Sequence, residues 1–188
     1  FYGVHFDKLR NGWVYREWAP AAKALFLMGD FNWWDRNSHP LRSSPRGDWE
    51  IFLPYEEYKN TFVHQSKIKV RVIGANDSDL DRIPAYIRRV VQDETNHDFS
   101  GQLWFEPKPF EWTDQDFSLD ESAKMPLIYE AHVGMALEEA KVGTYAEFEK
   151  LILPRIKAGG YNAIQLMAVM EHPYYGSFGY HVSNFFAP

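Results

Sequence analysis

The stretch "SKIKVRVIG" (66–74) sets Lys67, Lys69 and Arg71 in strict alternation with Ile68, Val70 and Val72, and Gly74 ends the run. Alternation of charged and apolar positions is the pattern of a half-buried antiparallel strand. Four more runs have strand length and composition: "GWVYREWAP" (12–20), "KALFLMGDF" (23–31), "DWEIFLP" (48–54) and "GQLWFEP" (101–107). Pro20 and Pro54 stop two of them, and a Gly-Asp turn stops the second. Short strands separated by turn residues predict a β-sandwich over the first hundred residues.

The pattern then changes. "EPKPFEWTDQDF" (106–117), with two prolines and several acids, reads as a linker. "PLIYEAHV" (126–133) is an apolar run of strand length, and "NAIQLMAV" (162–169) reads as a second buried strand. Between them, "GTYAEFEKLILPRIKAGGY" (143–161) reads as a helix. Thr144 and Glu147 make a capping box, Phe148, Leu151, Ile152 and Ile156 recur at helical spacing, and Gly159-Gly160 end it. Pro154 is expected to kink it or to start a second short helix. Strand, helix, strand is a βαβ unit, which makes parallel sheet. One such unit cannot bury both faces of its strands. Its exposed edge is expected to be covered by the sandwich or by another chain, to self-associate, or to be loosely ordered.

Composition narrows the function. Hydrophobic residues at 45% are ample for a core, and aromatics at 17% supply rings for packing or for a stacking surface. A net charge of −6 gives no electrostatic case for nucleic acid or an anionic membrane as partner. No apolar run approaches the roughly 20 residues of a spanning helix. The chain has no Cys, which removes disulfides and thiolate metal sites and fits a cytoplasmic location. Glu171-His172 lacks the further ligands that a metal site needs, so a structural hydrogen bond is the better reading. No metal or cofactor is expected.

Three stretches together resemble the glycogen and starch branching enzymes of the α-amylase superfamily. They are "REWAP" with "GDFNWWD" (16–20 and 29–35), "YEAHVGM" (129–135), and the long run from Lys141 to Pro188. The resemblance implies an immunoglobulin-like, glucan-binding β-sandwich module over 1–106 and a linker over 107–124. It implies that 125–188 is an incomplete (β/α)8 barrel consisting of a βαβ unit only. It implies α-glucan (glycogen, starch, malto-oligosaccharides) as partner. It also implies a retaining mechanism, with the carboxylate nucleophile and the carboxylic acid on later barrel strands. No catalytic residue is therefore assigned within 1–188, and the chain alone is expected to be inactive.

The remaining candidates are contact residues. Trp34 and Trp33 follow the Gly-Asp-Phe-Asn turn, where the resemblance implies a stacking platform; an indole can cover the apolar face of a glucose ring. The competing reading is that one of the two packs in the core or against the barrel. Lys69 matches a lysine that bonds sugar hydroxyls in related modules, although a solvated strand face explains it equally well. Tyr180, in the "GY" after the second strand, matches a tyrosine that stacks on sugar at the cleavage point; a tyrosine that anchors the loop is the competing reading. The loops at strand C-termini are where barrel active sites lie. Tyr174 and Tyr175 are weaker members of the same rim. His132, at the end of the first barrel strand, is either a rim contact or, more in keeping with its place, a packed histidine.

Two other functions compete with the branching-enzyme reading. A glucan-binding module used only for targeting has no need of a βαβ unit. A related debranching enzyme would carry the module too, but residues 171–188 fit branching better.

Overall fold

A computed structural model describes residues 1–106, 108, 110–118 and 125–188. Part of the expected linker, at 107, 109 and 119–124, lies outside the described residues. The chain divides into two compact units. The first is Phe1–Pro107 with Met170–Pro173 and Val182–Pro188; the second is Lys108–Val169 with Tyr174–His181.

In the first unit, β1 (Gly3–Asp7), β2 (Gly12–Trp18), β5 (Asp48–Pro54) and the short β4 (Arg42–Ser43) form one antiparallel sheet in the order β1-β2-β5-β4. The second sheet runs β3 (Ala22–Gly29), β6 (Lys67–Gly74), β9 (Phe99–Gln102), β8 (Val90–Gln92), with β7 (Asp79–Arg82) also paired to β6. Trp13, Tyr15, Trp49 and Leu53 of the first sheet share one core with Leu25, Leu27, Ile68, Val70 and Val90 of the second. Two sheets around a single core make the expected sandwich. Ile68 and Val70 are buried while Lys67, Lys69 and Arg71 remain partly exposed, as the alternation requires.

Glu17 continues the inward-facing row of Trp13 and Tyr15, and it is buried. Its carboxylate accepts from the Tyr15 hydroxyl at 2.7 Å and from the Ala85 N–H at 2.9 Å. Burial nevertheless pushes its pKa up, and the hydrogen bonds only partly oppose that shift.

The end of the chain also belongs to this unit. Glu171 bridges Asn184, its N–H bonds the Ala187 carbonyl at 2.7 Å, and Ala187 lies in the sandwich core. Phe186 packs on Tyr86 with ring centroids 4.7 Å apart, and Tyr86 stacks on Tyr2 at 4.6 Å.

In the second unit, β10 (Ile128–Ala131) and β11 (Ala163–Leu166) pair in parallel, Ile128 opposite Ala163 and Ala131 opposite Leu166. The connection between them is helical. An α-turn (Tyr145–Glu147) leads into a π-turn (Phe148–Ile152) and then an α-helix (Leu153–Ala158). Thr144 and Glu147 form the expected reciprocal cap. Pro154 has no N–H for the Lys150 carbonyl, and the wide π-turn precedes it immediately, so the irregularity has a local cause. Ala131, Val133, Phe148 and Ile156 make a small core.

The second strand is not buried as its composition led one to expect. Ile164 and Leu166 are exposed, as are Ile128 and Tyr129, because one helical segment cannot cover both faces of two strands.

Candidate functional site

The sequence "GDFNWWD" directs the chain out of β3 through a 3-10 turn at Asp30–Asn32. Trp33 and Trp34 then follow in the left-handed region, at φ 57° and 61°. For residues with a Cβ this conformation costs about 1–2 kcal/mol each. The surroundings hold it in place. The Trp34 N–H bonds the Gly29 carbonyl at 2.9 Å. Buried Asn32 accepts from the Gly29 N–H at 2.9 Å, and its Nδ2 lies 3.0 Å from both the Asp35 carbonyl and His39 Nδ1. With Asn32 donating to Nδ1, the neutral His39 ring carries its proton on Nε2 and donates it to Tyr58 Oη at 2.7 Å. Burial favours that neutral ring by holding the imidazole below its ordinary pKa.

This scaffold presents two indoles differently. Trp33 is 90% exposed, whereas Trp34 is 36% exposed and its ring N–H donates to Asp30 Oδ1 at 3.0 Å. Neither packs in the core of the sandwich. Strained backbone that carries exposed aromatic surface is a mark of a functional loop.

Lys69 stands on the outward face of β6, opposite Met28 of β3. Only 12% of its side chain is exposed, and its ammonium pairs with Asp98. The hydrogen bond from Lys69 holds the Asp98 carboxyl below its ordinary pKa. Arg71, next on the same face, makes a bidentate pair with Asp79 at 2.8 and 2.7 Å, and Arg36 shares Asp79 at 2.9 Å. Beside the tryptophan turn, then, lies a face of fixed donors and acceptors. This combination of ring surface and rigid polar groups can hold a flat, hydroxyl-rich ligand. The sequence reading missed Asp30 and Asp98 as members of this face.

The second unit carries the other candidates. Tyr180 and Tyr174 are 63% and 66% exposed. Tyr180 Oη lies 3.6 Å from Met167 Sδ, just beyond β11, so the ring sits near the C-terminal end of that strand. Gly179 makes this placement possible. It has φ +83°, and a Cβ there would lie 2.6 Å from the Ala168 carbonyl oxygen. Tyr175 is not a surface ring. Its hydroxyl is buried, and a Cβ on Gly134 would meet it at 2.3 Å. His132 lies with its Nε2 2.8 Å from the Phe178 carbonyl. That contact ties the loop to the end of β10 and agrees with the packed reading.

His172 Nδ1 contacts the Met170 carbonyl at 3.0 Å. Among the described residues no group of three His, Asp or Glu is placed to hold a metal ion, and no helix is long and apolar enough to cross a membrane.

Residues 1–87 match the family model of carbohydrate-binding module 48 (Isoamylase N-terminal domain). The chain is 45% identical over 92% of its length to a 1,4-alpha-glucan-branching enzyme of Rhizophagus irregularis, and 46% over 93% to one of Solanum tuberosum. The enzyme of Dictyostelium discoideum is 44% identical over 97%. The chain spans 25%, 20% and 26% of these relatives' own lengths. Among solved structures, a pullulanase from Anoxybacillus sp. LM18-11 complexed with maltotriose superposes with a TM-score of 0.67. It covers the whole of this chain with 28% of its own and is 19% identical, a likeness of fold.

Proposed function

We propose that this chain, related along nearly its whole length to 1,4-alpha-glucan-branching enzymes, forms the glucan-binding module and the first two barrel strands of such an enzyme. The observation that carries the reading is the extent of the identity, which at 92–97% of the chain includes both compact units. A module used for targeting alone fits less well, since a parallel strand pair with exposed apolar faces adds nothing to it.

In this reading Trp34, Trp33 and Lys69 contact α-glucan through the sandwich unit. Tyr180 and Tyr174 form the rim of a cleft completed by later strands, and Tyr175 and His132 pack behind them and hold the loop that carries them. The whole enzyme cleaves an α-1,4 bond and passes the chain to a 6-hydroxyl. A retaining mechanism of this kind needs a nucleophilic carboxylate and an acid roughly 5–5.5 Å apart. No residue of this chain is given either role. The exposed β10–β11 pair is closed by further strands in the whole enzyme, and is the surface through which isolated copies would associate. With no Cys to require oxidation, the protein is assigned to the cytoplasm.

The test is calorimetry with maltoheptaose alongside a branching assay on amylose. The purified chain binds the oligosaccharide and forms no branches, and Trp34→Ala weakens the binding. Turnover by the pure chain would overturn the placement of the chemistry. An unchanged isotherm for Trp34→Ala would overturn the platform.

A further inference from the structure

We propose that Asp30 is the positioning residue of the glucan platform, fixing the Trp34 ring to the first residue of β6. This inference rests on the reading of Trp34 given above. Each oxygen of the Asp30 carboxylate has a separate task. Oδ1 accepts the indole N–H of Trp34 at 3.0 Å, and Oδ2 accepts the backbone N–H of Lys67 at 2.6 Å. Lys67 begins the strand that carries Lys69 two residues later on the same face. One side chain therefore joins the stacking ring to the strand that bears the polar contacts.

The need for such a clamp follows from the backbone. Trp33 and Trp34 both occupy the left-handed region, and Trp34 keeps over a third of its surface exposed. A partly exposed ring has several rotamers open to it, and ordering it on ligand binding carries an entropic cost. A charge-assisted hydrogen bond made in advance removes that cost. An Asn side chain could not replace the clamp, because it has one oxygen for two donors.

The experiment measures maltoheptaose affinity of the 188-residue chain by calorimetry, with urea unfolding run in parallel. Asp30→Ala is expected to weaken binding about tenfold. Trp34→Phe keeps a ring but has no N–H, so in that background Asp30→Ala is expected to change affinity less than twofold. A purely structural role, through Lys67, would weaken binding equally in both backgrounds and would overturn the proposal. So would an unchanged affinity for Asp30→Ala while Trp34→Ala loses binding. If Trp34→Ala itself leaves binding unchanged, it is the platform reading that fails. Asp30→Asn serves as the second variant should Asp30→Ala unfold, with the same dependence on the indole N–H expected.

Discussion

Asn184 lies 100 residues beyond Pro84 in sequence, and its amide Nδ2 donates to the Pro84 carbonyl at 3.2 Å. Asn184 is buried, so that carbonyl has no ready access to water once the amide is gone. Asn184→Ala leaves a desolvated acceptor, which costs about 1–3 kcal/mol. Urea unfolding of the sandwich is expected to move to a lower midpoint, by that free energy divided by the slope, with the slope unchanged. No shift would mean that the last residues detach without consequence.

Trp33 offers a separation of stability from function. At φ 57° with 90% exposure, its side chain adds little packing to offset the left-handed backbone. Trp33→Gly relieves that strain and is expected to raise stability by about 1 kcal/mol. The same change removes exposed indole and is expected to weaken maltoheptaose binding. Trp34→Gly, by contrast, also forfeits the bond to Asp30, and its stability gain is expected to be smaller or absent. Thermal melts and isotherms on both variants check the contrast, and equal effects at the two positions would refute it.

What could be read from the sequence was local. The alternation of Lys67 to Val72, the Thr144–Glu147 cap and the parallel βαβ order depend on neighbours within a few residues, and they leave a periodic trace. β7 left none, because "DLDR" is exposed at every position, and beyond the backbone ladder it meets β6 through the Arg71–Asp79 ion pair, which has no period in the sequence. The return of Asn184 to Pro84, and of Ala187 to the sandwich core, was equally invisible, since contacts across so many residues have no period. The indole pair was legible as a candidate from its Gly-Asp-Phe-Asn lead-in. Asp30 was passed over because a turn aspartate ordinarily bonds its own loop, and only the fold brings Lys67 within its reach.

The capping residue of the second unit sets one limb of its pH response. The hydrogen bond from Lys141, followed by those from Thr144, holds Glu147 at a pKa of about 2, below its ordinary 4.5. A depressed folded pKa contributes stability that is present above about 4.5 and is lost as pH falls toward about 2. Glu147→Gln removes this titration. Hydrogen exchange at residues 145–158 is therefore expected to be faster in the variant than in wild type at pH 6, and the difference should narrow below pH 4.5 and close only as pH falls through about 2. A gap of the same size at pH 2 as at pH 6 would assign the cap's value to shape rather than charge.

Glu17 contributes with the opposite sign. Burial raises its folded pKa, so between its ordinary 4.5 and the raised value the native state holds a proton that the unfolded chain has released. Its contribution is therefore fully present below 4.5 and lost as pH rises through the folded pKa. Above that range, a charged carboxylate remains in the sandwich, balanced by Tyr15, the Ala85 N–H and the Trp18 N–H. Glu17→Gln abolishes the titration, although its amide faces a donor at one of these contacts and lowers stability at every pH. The stability gap between wild type and Glu17→Gln is thus expected to be widest in acid and to narrow as pH rises above 4.5. Urea midpoints at half-unit pH steps give that gap directly, and a gap that is constant or widens would show that Glu17 is already ionised in the acid range despite its burial.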